Sequence, residues 1–465
     1  MEQIEINDTI AAVSTAPGTG GIAVIRVSGP RALAIVNSAW KGIDLKGVKT
    51  HSVHFGKYFS TDGNLLDEAV ATVFLAPASF TGETVVEIGI HGSIWIQREL
   101  LNDLVRRGAR IANPGEFTQR AFLNGKLDLA QAEGIADLIS SSSKAAHDMA
   151  MNQTKGKFSK EFDALREKLI EFASLLELEL DFSEEDVEFA DRSKLVQLCE
   201  DILKKVKALA HSYSRGSVLK NGVPVVIAGI PNAGKSSLLN LLLQDEKAIV
   251  TDIAGTTRDT IEDTIEIDGI LYRFIDTAGL RHTTDVVEGI GVERAYSALG
   301  KAFIVIWILD PTSDIDSQFQ EIQKFRRKYP DKNFILLRNK CDLGNDCRLN
   351  GIKGQDEAID FSTLTGEGLE ELLKRLKEFA TAGTDIESSV IVTNARHYEA
   401  LTRAADSLER ALESMQPDPD SRYPMSADFI AQDIREATAH LATITGNITT
   451  DNLLHSIFSR FCIGK

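Results

Sequence analysis

The sequence is poor in cysteine and in long apolar runs, and both absences exclude classes of protein. Its four cysteines lie far apart in the chain, at positions 199, 341, 347 and 462. This spacing fits neither a zinc site nor a disulfide framework, so we expect a reducing, cytoplasmic environment. The apolar run at residues 302–309 is far too short to cross a bilayer. The opening MEQIEINDTI has no basic region followed by an apolar stretch, so no signal peptide is expected.

Positive charge is also scarce. The chain has 51 Lys and Arg residues against 68 Asp and Glu residues, which gives a formal net charge of −17. A protein that holds a nucleic-acid backbone by itself normally has a basic surplus. If nucleic acid is the substrate, we therefore expect a partner to supply much of the positive surface. The length of 465 residues predicts about two to four domains.

Three sequence patterns alternate along the chain and predict a multidomain α/β protein. Residues 1–120 mix short β-like runs with Gly and Pro turns, which predicts an α+β domain. Residues 121–219 and 381–465 carry apolar residues at three- and four-residue steps, which is typical of buried helix faces. Residues 220–380 alternate apolar strands with helices, which is typical of a mostly parallel sheet, and the Asp268-Gly269 step predicts a hairpin. We predict one all-helical domain, split in sequence by an inserted α/β domain.

A glycine-rich segment in the α/β region predicts a phosphate-binding loop. Residues 229–237, GIPNAGKSS, match G-x-x-x-x-G-K-[ST], follow an apolar strand and precede a helical run. Its glycines let successive backbone N–H groups point at phosphate. Lys235 would meet the β- and γ-phosphates, and Ser236 would offer its hydroxyl to magnesium. The nucleotide contacts expected here are Asn232, Ala233, Gly234, Lys235, Ser236 and Ser237.

Three further segments, in order, predict that the nucleotide is GTP. DTAG, residues 276–279, ends a strand, and its Asp276 can hold magnesium through water. NKCD, residues 339–342, ends another strand, and Asp342 can accept two hydrogen bonds that guanine offers and adenine does not. STL, residues 362–364, stands where a GTPase has Ser-Ala-Lys, so this loop departs from the usual form. The contacts expected from these segments are Asp276, Thr277, Ala278, Gly279, Asn339, Lys340, Asp342, Ser362, Thr363 and Leu364.

The expected switch segments predict an unusual hydrolytic arrangement. Leu280 follows DTAG where a Ras-type GTPase has a water-orienting glutamine, and a leucine cannot orient water. Either hydrolysis is very slow or another group does this, and Glu288 is a candidate that could act through a bridging water. From side-chain chemistry alone, Glu288 is more readily a solvated acid of the switch loop. In the first switch Thr257 is the natural second magnesium ligand, among expected nucleotide contacts at Thr251, Asp252, Ile253, Ala254, Gly255, Thr256 and Thr257.

At this level of detail the sequence resembles the MnmE (TrmE) family of tRNA-modification GTPases, within the translation-factor-like class. The resemblance rests on PNAGKSSLLN, AIVTDIAGTTRD, DTAGLR, the terminal FCIGK, and the N-terminal GGIAVIRVSG, SFTGE and PGEFTQRAFLNGKLDLAQAE. It implies a folate-binding, dimerising domain over residues 1–120, a helical domain over residues 121–219 and 381–465, and an inserted Ras-like P-loop G domain over residues 220–380. It also implies a homodimer that forms a heterotetramer with the FAD-dependent partner MnmG, with tRNA held largely by that partner and no membrane.

The same resemblance implies the reaction. GTP hydrolysis would serve the addition of a carboxymethylaminomethyl or aminomethyl group to C5 of the wobble uridine of certain tRNAs. The one-carbon unit would come from a methylene-tetrahydrofolate, with glycine or ammonium as the amine donor. The bound cofactor would be a tetrahydrofolate derivative, in its 5-formyl or methylene form. Potassium would bring two G domains together and neutralise transition-state charge as an arginine finger does. The implied potassium ligands are Asn232, Thr251, Ile253 and Thr256, and the implied catalytic residues are Lys235 and the water-orienting Glu288.

The family's folate contacts correspond to Arg26, Glu87, Lys126 and Lys465. A carboxylate can pair with the amino-pyrimidine edge of a pterin, and cations suit the glutamate tail, although each residue alone would more often be an ordinary surface charge. Cys462 would lie at the same site. It is either a nucleophile or base in the one-carbon step, or a small buried hydrophobe.

Two alternatives of other classes stay open. One is a GTPase switch that binds a ribosome or RNA partner, without one-carbon chemistry. The other is a folate-binding one-carbon transferase with a vestigial G domain, against which the intact phosphate loop and NKCD argue. Folate binding by residues 1–120 and by the intact chain would separate these hypotheses.

Overall fold

The computed structural model describes residues 8–181, 192–244, 249–250, 263–275, 299–343, 358–381, 390–415, 427–459, 461 and 464. Its contacts divide the chain into two compact units. The first unit comprises residues 1–136, 159–163 and 442–465, and the second comprises residues 137–158 and 164–441. Within the described ranges, no helix combines the length and the apolar character that a membrane span requires.

A seven-stranded sheet forms the framework of the first unit. Its strands are β1 Ile10–Val13, β2 Gly20–Ser28, β3 Trp40–Lys41, β4 Ser52–Phe59, β5 Leu65–Phe74, β6 Val85–Gly92 and β7 Arg110–Ile111. They lie in the order β3-β4-β5-β6-β2-β1-β7, antiparallel except for the parallel pair of β1 and β7. Because side chains alternate along a strand, Ile25 and Val27 of β2 enter the core while Arg26 faces the other side.

Helices complete the first unit. α1 (Ala32–Ala39) and α2 (Ile94–Arg106) pack their apolar residues into the sheet core, as Ile35 and Leu104 illustrate. α3 (Glu116–Leu123), α4 (Leu129–Ser140) and the C-terminal helix α13 (Asp451–Phe458) share a smaller core of aromatic and aliphatic side chains. The members of that core include Phe122, Leu129, Leu454, Phe458 and Phe461.

A second seven-stranded sheet lies in the second unit, and the predicted mostly parallel sheet is confirmed. Its strands are β8 Val223–Gly229, β9 Ile249–Val250, β10 Asp263–Ile267, β11 Ile270–Phe274, β12 Ile304–Leu309, β13 Asn333–Arg338 and β14 Ile359–Asp360. The order is β14-β13-β12-β8-β11-β10-β9, and the first five run parallel. Val305 and Ile306, which are neighbours in β12, enter different apolar clusters. Both faces of the sheet are therefore covered, which explains the continuous apolar runs.

The hairpin predicted at Asp268-Gly269 is also confirmed. β10 and β11 are antiparallel, with Ile267 opposite Ile270. Asp268 and Gly269 both have positive φ, at 50° and 81°. A two-residue hairpin turn of type I′ has positive φ at both central residues. This turn type is favoured because its twist matches that of the flanking strands.

The helices of the second unit fall into two groups. α8 Lys235–Gln244, α9 Ile315–Lys328 and α10 Leu369–Thr381 flank the parallel sheet. The others are α5 Lys144–Thr154, α6 Lys157–Asp181, α7 Arg192–Asn221, α11 Ala395–Met415 and α12 Ala427–Thr445. α7 and α11 pack antiparallel: Tyr213 stacks on Tyr398 with 4.8 Å between ring centres, while Cys199, earlier in α7, contacts the Leu408 carbonyl, later in α11. Helices from before and after the parallel sheet thus pack together, and the predicted fold class is confirmed.

Candidate functional site

Four loops meet at one edge of the parallel sheet. Three of them are predicted to bind GTP, and the fourth is the loop after β12. β8 ends at Gly229, β12 at Leu309, β13 at Arg338 and β14 at Asp360. The carboxyl ends of parallel strands lie at the same edge, which is where ligands of open α/β sheets bind. The phosphate loop begins at the last residue of β8, NKCD directly follows β13, and STL begins two residues after β14 ends, so the topology brings the three segments together.

The phosphate loop has a backbone that only particular residues can adopt. Gly229 and Gly234 have φ values of 143° and 106°, and a Cβ at either would overlap a neighbour, the Ile308 carbonyl or the Asn339 amide. Asn232 is left-handed at φ 61° and exposed. Lys235 donates to the carbonyl oxygens of Gly229 and Ile230, both at 2.8 Å, so its ammonium group lies inside the curve of the loop. Burial lowers the pKa of Lys235.

Asn339 joins the phosphate loop to the other two loops. Its side chain is buried, and its Nδ2 donates to the Ala233 carbonyl at 2.7 Å. Its Oδ1 accepts from the backbone N–H of Thr363 at 3.1 Å. One amide group therefore fixes the phosphate loop, NKCD and STL relative to one another.

Ser362 prepares the carboxylate that is predicted to recognise guanine. Its buried hydroxyl donates to Asp342 Oδ1 at 2.7 Å and accepts from the backbone N–H groups of Leu364 and Thr365, at 3.3 and 3.2 Å. Asp342 is itself exposed, so its carboxylate is both oriented and accessible. Leu364 stands where the usual motif has lysine, and it is 84% exposed.

Asp310 is a site residue that sequence reasoning missed. It directly follows β12, is 3% exposed, and accepts from Lys340 Nζ at 2.6 Å through Oδ2. Burial opposes the charge of Asp310, but Lys340 and Thr312 outweigh it and hold the pKa of this carboxyl below its ordinary value. The available signal was its position, because it ends a parallel strand as NKCD does.

The remaining predicted nucleotide contacts divide into two sets. Ser236 is partly buried in the first turn of α8, directly after Lys235, and Ser237 is exposed beside it. The predicted contacts at residues 251–257 and 276–279, and the predicted catalytic Glu288, lie outside the described residues. Cys462 and Lys465 also lie outside them.

In the first unit, two of the predicted folate contacts form a cross-strand ion pair. Arg26 of β2 lies opposite Glu87 of β6. Arg26 Nε and Nη2 both reach Glu87 Oε1, at 2.9 and 2.8 Å. Both side chains are partly exposed, at 20% and 27%. The Arg26 guanidinium also lies 5.6 Å from the ring centres of Phe80 and Phe117, so it is bounded by aromatic surface.

Lys126 and the C-terminal segment reach the same region through short contacts. Lys126 Nζ donates to the Pro77 carbonyl at 3.1 Å, in the loop that carries Phe80. The Gly464 carbonyl accepts from Ser14 Oγ at 3.1 Å. Gly464 has φ 97°, and a Cβ there would overlap the carbonyl of Val13, so the backbones approach too closely for a side chain. Val13 lies one residue beyond Ala12, the β1 partner of Arg26.

A buried ionic network, also missed from the sequence, supports this loop. Arg120 is 1% exposed and donates to Glu83, Glu116 and Asp8, at 3.1, 2.9 and 2.6 Å. Ser28 donates to the second oxygen of Glu83 at 2.6 Å. The loop that holds Phe80 is therefore tied to β2 and α3 by charge-assisted hydrogen bonds. No sequence spacing announces this network, because its members are brought together only by the fold.

Two family models together match most of the chain. Residues 9–126 match the family model described as GTP-binding protein TrmE N-terminus. Residues 129–462 match the model described as MnmE helical domain. The tRNA modification GTPase MnmE of Cytophaga hutchinsonii is 49% identical over 460 residues, which is 98% of each chain. The protein of the same name from Bacteroides fragilis is 47% identical over 470 residues, 98% of this chain and 99% of that one.

Solved structures match a smaller part of the chain. The G domain of the FeoB iron transporter of T. maritima is 27% identical, with a TM-score of 0.26, over 34% of this chain and 98% of that one. Era of Aquifex aeolicus, bound to GDP and AlF4−, is 26% identical, with a TM-score of 0.27, over 40% of this chain and 66% of that one. The family models and the full-length relatives are decisive: the chain belongs to the MnmE family of tRNA modification GTPases, and it is a GTP hydrolase that acts in tRNA modification.

Proposed function

We propose that this chain is a potassium-activated GTPase that adds a carboxymethylaminomethyl or aminomethyl group to C5 of the wobble uridine of certain tRNAs, together with the FAD-dependent partner MnmG. The one-carbon unit comes from a methylene-tetrahydrofolate and the nitrogen from an amine, glycine or ammonium. The methylene carbon joins C5 to the amine nitrogen, and the hydrogens lost from C5 and from the amine pass to the tetrahydrofolate that is released. The observation that carries the proposal is that Asn339 donates one hydrogen bond to the Ala233 carbonyl and accepts another from the Thr363 N–H, which joins three GTP-binding motifs into one site. The same chain pairs Arg26 with Glu87, at positions where the family binds folate.

The described residues suit GTP in two ways. The bare backbone at Gly229 and Gly234 leaves the loop open to phosphate oxygens, and the partly desolvated Lys235 supplies a strong local charge. Ser362 orients Asp342, which then accepts from N1–H and the amino group of guanine. Adenine has no such pair of donors, so the carboxylate selects GTP over ATP.

Ser236 and Thr257 are the proposed magnesium ligands, with Asp276 acting through water. Ser236 fits this role because it follows Lys235 in the first turn of α8, next to the phosphate loop. Magnesium, when bound, neutralises charge on the β- and γ-phosphates. Hydrolysis then yields GDP and phosphate.

Asn232, Thr251, Ile253 and Thr256 are the proposed potassium ligands. Asn232 fits because it is an exposed residue with a left-handed backbone within the phosphate loop, and its side-chain oxygen can coordinate a cation. Potassium, when bound, supplies positive charge to the transition state and links two G domains. Glu288 orients the attacking water. In Ras-type GTPases a glutamine at the position of Leu280 has this role.

Glu87 is proposed to receive the pterin edge of folate. Both bonds from Arg26 reach Oε1 of Glu87, which leaves Oε2 to accept from the ligand. Lys126 and Lys465 supply cations for the glutamate tail, and folate supplies the one-carbon unit. The position of Gly464 beside Val13 supports a C-terminal segment that contributes to this site. Cys462 is either a nucleophile or base in the one-carbon step, or a small buried hydrophobe.

The hairpin turn offers a route from the GTP site to the helices. β10 and β11 connect the two switch segments, and their turn is bonded to α5. Ala145 N–H donates to the Gly269 carbonyl at 2.8 Å, and Lys144 N–H donates to Glu266 Oε1 at 3.3 Å. We propose that opening and closing of the paired G domains moves this hairpin and, through it, the helical domain.

The proposed assembly is a cytoplasmic homodimer that forms a heterotetramer with MnmG, which holds most of the tRNA. The net charge of −17 supports this division, because a phosphate backbone is repelled by acidic surface. Nucleoside analysis of tRNA from a strain that lacks this chain tests the proposal. We expect wobble uridines without the aminomethyl-type group. Unchanged uridines would refute the proposal and favour a GTPase switch with an RNA or ribosome partner.

A further inference from the structure

We propose that Asp310 is a positioning residue for guanine binding, and that it acts by fixing the side chain of Lys340. The proposal rests on the proposed guanine-binding role of NKCD. Asp310 belongs to none of the sequence motifs, but its carboxylate is buried in contact with one of them.

The carboxylate of Asp310 is divided between two tasks. Oδ1 accepts from the backbone N–H and the hydroxyl of Thr312, at 2.9 and 2.6 Å. Oδ2 accepts from Lys340 Nζ at 2.6 Å. The bonds from Thr312 fix the plane of the carboxylate, so Oδ2 is held at one place before it meets the lysine.

The backbone of Asp310 is held as firmly as its side chain. Its N–H donates to Gln318 Oε1 at 3.1 Å, and its carbonyl accepts from Gln318 Nε2 at 3.0 Å. Gln318 is 2% exposed and lies on α9. On the other side, Asn339 N–H donates to the Leu309 carbonyl at 3.0 Å, which keeps NKCD beside the end of β12. Asp310 is therefore anchored to a helix and to a strand, independently of Lys340.

Lys340 needs such support for two reasons. Its backbone is left-handed, with φ 66°, an uncommon conformation for a residue other than glycine, which the surrounding contacts must stabilise. Its side chain is 30% exposed, and an unheld lysine stem samples many rotamers. With its ammonium fixed by Asp310, the stem is presented as a ready apolar surface for the purine ring. Nucleotide binding then costs less side-chain entropy.

The first test compares Asp310→Asn with Asp314→Asn in the full-length protein. Both changes remove one negative charge from the same loop, but Asp314 caps α9 through Asp316 N–H and does not contact Lys340. We expect the Kd of a ribose-labelled fluorescent GDP to rise about tenfold in Asp310→Asn, as loss of one charge-assisted bond implies. The kcat of GTP hydrolysis at saturating GTP should stay within about twofold. Asp314→Asn should leave both values unchanged. A lower kcat with an unchanged Kd would overturn the proposal.

A double-mutant cycle with Lys340→Met shows whether Asp310 acts through the lysine. In the Lys340→Met background, we expect Asp310→Asn to cause no further rise in Kd. The double variant buries neither charge alone, so it remains informative if Asp310→Asn by itself does not fold. Independent effects that multiply in the double variant would overturn the proposal.

Asp342→Asn separates failure of this proposal from failure of the guanine assignment. An asparagine amide can donate to the 2-carbonyl of xanthine, so the variant should prefer the fluorescent derivative of xanthosine diphosphate over that of GDP. If it does not, the role of NKCD is wrong. If it does, while Asp310→Asn binds GDP as the wild type does, only the role of Asp310 is wrong.

Discussion

Replacing Asn339 with alanine should disconnect the loops of the GTP site. Asn339 is 1% exposed, and the substitution removes two hydrogen bonds, at 2.7 Å to the Ala233 carbonyl and at 3.1 Å from the Thr363 N–H. A polar group left without its partner in a buried place costs about 1–3 kcal/mol. Ala233 is fully buried and Thr363 is partly buried, so the carbonyl of Ala233 should cost more than the N–H of Thr363. We expect a total free-energy cost of about 2–4 kcal/mol for the two groups.

This cost should appear as weaker nucleotide binding. GTP needs all three loops in place, so the apparent affinity falls with the fraction of molecules in which they are joined. A cost of about 2–4 kcal/mol corresponds to a Kd raised by about 30-fold to 700-fold. Titration of the full-length protein with fluorescent GDP measures this change, and hydrogen exchange of the peptide around Thr363 reports whether its amide has lost protection.

Asn333→Ala is the matched control. Asn333 begins β13, the strand that Asn339 follows, and its Nδ2 donates to the Phe303 carbonyl at 3.2 Å, away from the GTP-binding edge. It should bind GDP as the wild type does. If Asn339→Ala also kept wild-type affinity and wild-type exchange at Thr363, the bridging role of Asn339 would be refuted.

Three further outcomes are expected. Asn232→Gly keeps the left-handed backbone but removes the side-chain oxygen, so the ratio of GTPase rates in potassium and sodium chloride should fall towards one; an unchanged ratio would contradict the potassium assignment. Glu87→Gln should raise the Kd for tetrahydrofolate at least about tenfold, while Glu68→Gln, which alters the exposed neighbouring pair with Lys57, should not. Burial alone would raise the pKa of Asp103, but hydrogen bonds from groups such as Arg107 hold it below 3.8. The ionised Asp103 therefore stabilises the fold above pH 3.8, and this contribution is lost as the pH falls further. Between about pH 5 and about pH 3, the free energy of unfolding should depend less on pH in Asp103→Asn than in the wild type.

The sequence predicted the parts of the GTP site better than their connections. A strand followed by GIPNAGKSS, and another followed by NKCD, predicts loops at one sheet edge, because parallel strands share their carboxyl ends. The bond from Asn339 to Ala233 could not be predicted, since it joins residues 106 positions apart. The role of Asp310 could not be predicted for the same reason. Its role depends on Lys340 being folded against it, and a single aspartate after a strand matches no motif.

Local structure could be predicted where a short run of residues strongly favours one backbone conformation. Asp268-Gly269 predicted its own turn, because few residue pairs tolerate two positive φ values. In the first unit, Arg26 and Glu87 could be named by resemblance, but their pairing depends on the register of β2 against β6. The network around Arg120 depends on three separate segments, so no local pattern contains it.

This chain is proposed to couple GTP hydrolysis to folate-dependent modification of tRNA. The test mixes the purified protein with MnmG, GTP, potassium, glycine or ammonium as the amine donor, unmodified tRNA, and a methylene-tetrahydrofolate labelled with carbon-13 in the methylene group. Mass spectrometry of the wobble nucleoside then follows the label. We expect label at the wobble uridine with the wild type, and none with Lys235→Ala or when GTP is omitted. Label that appears equally without GTP, or never appears although the wobble uridine becomes modified, would contradict it.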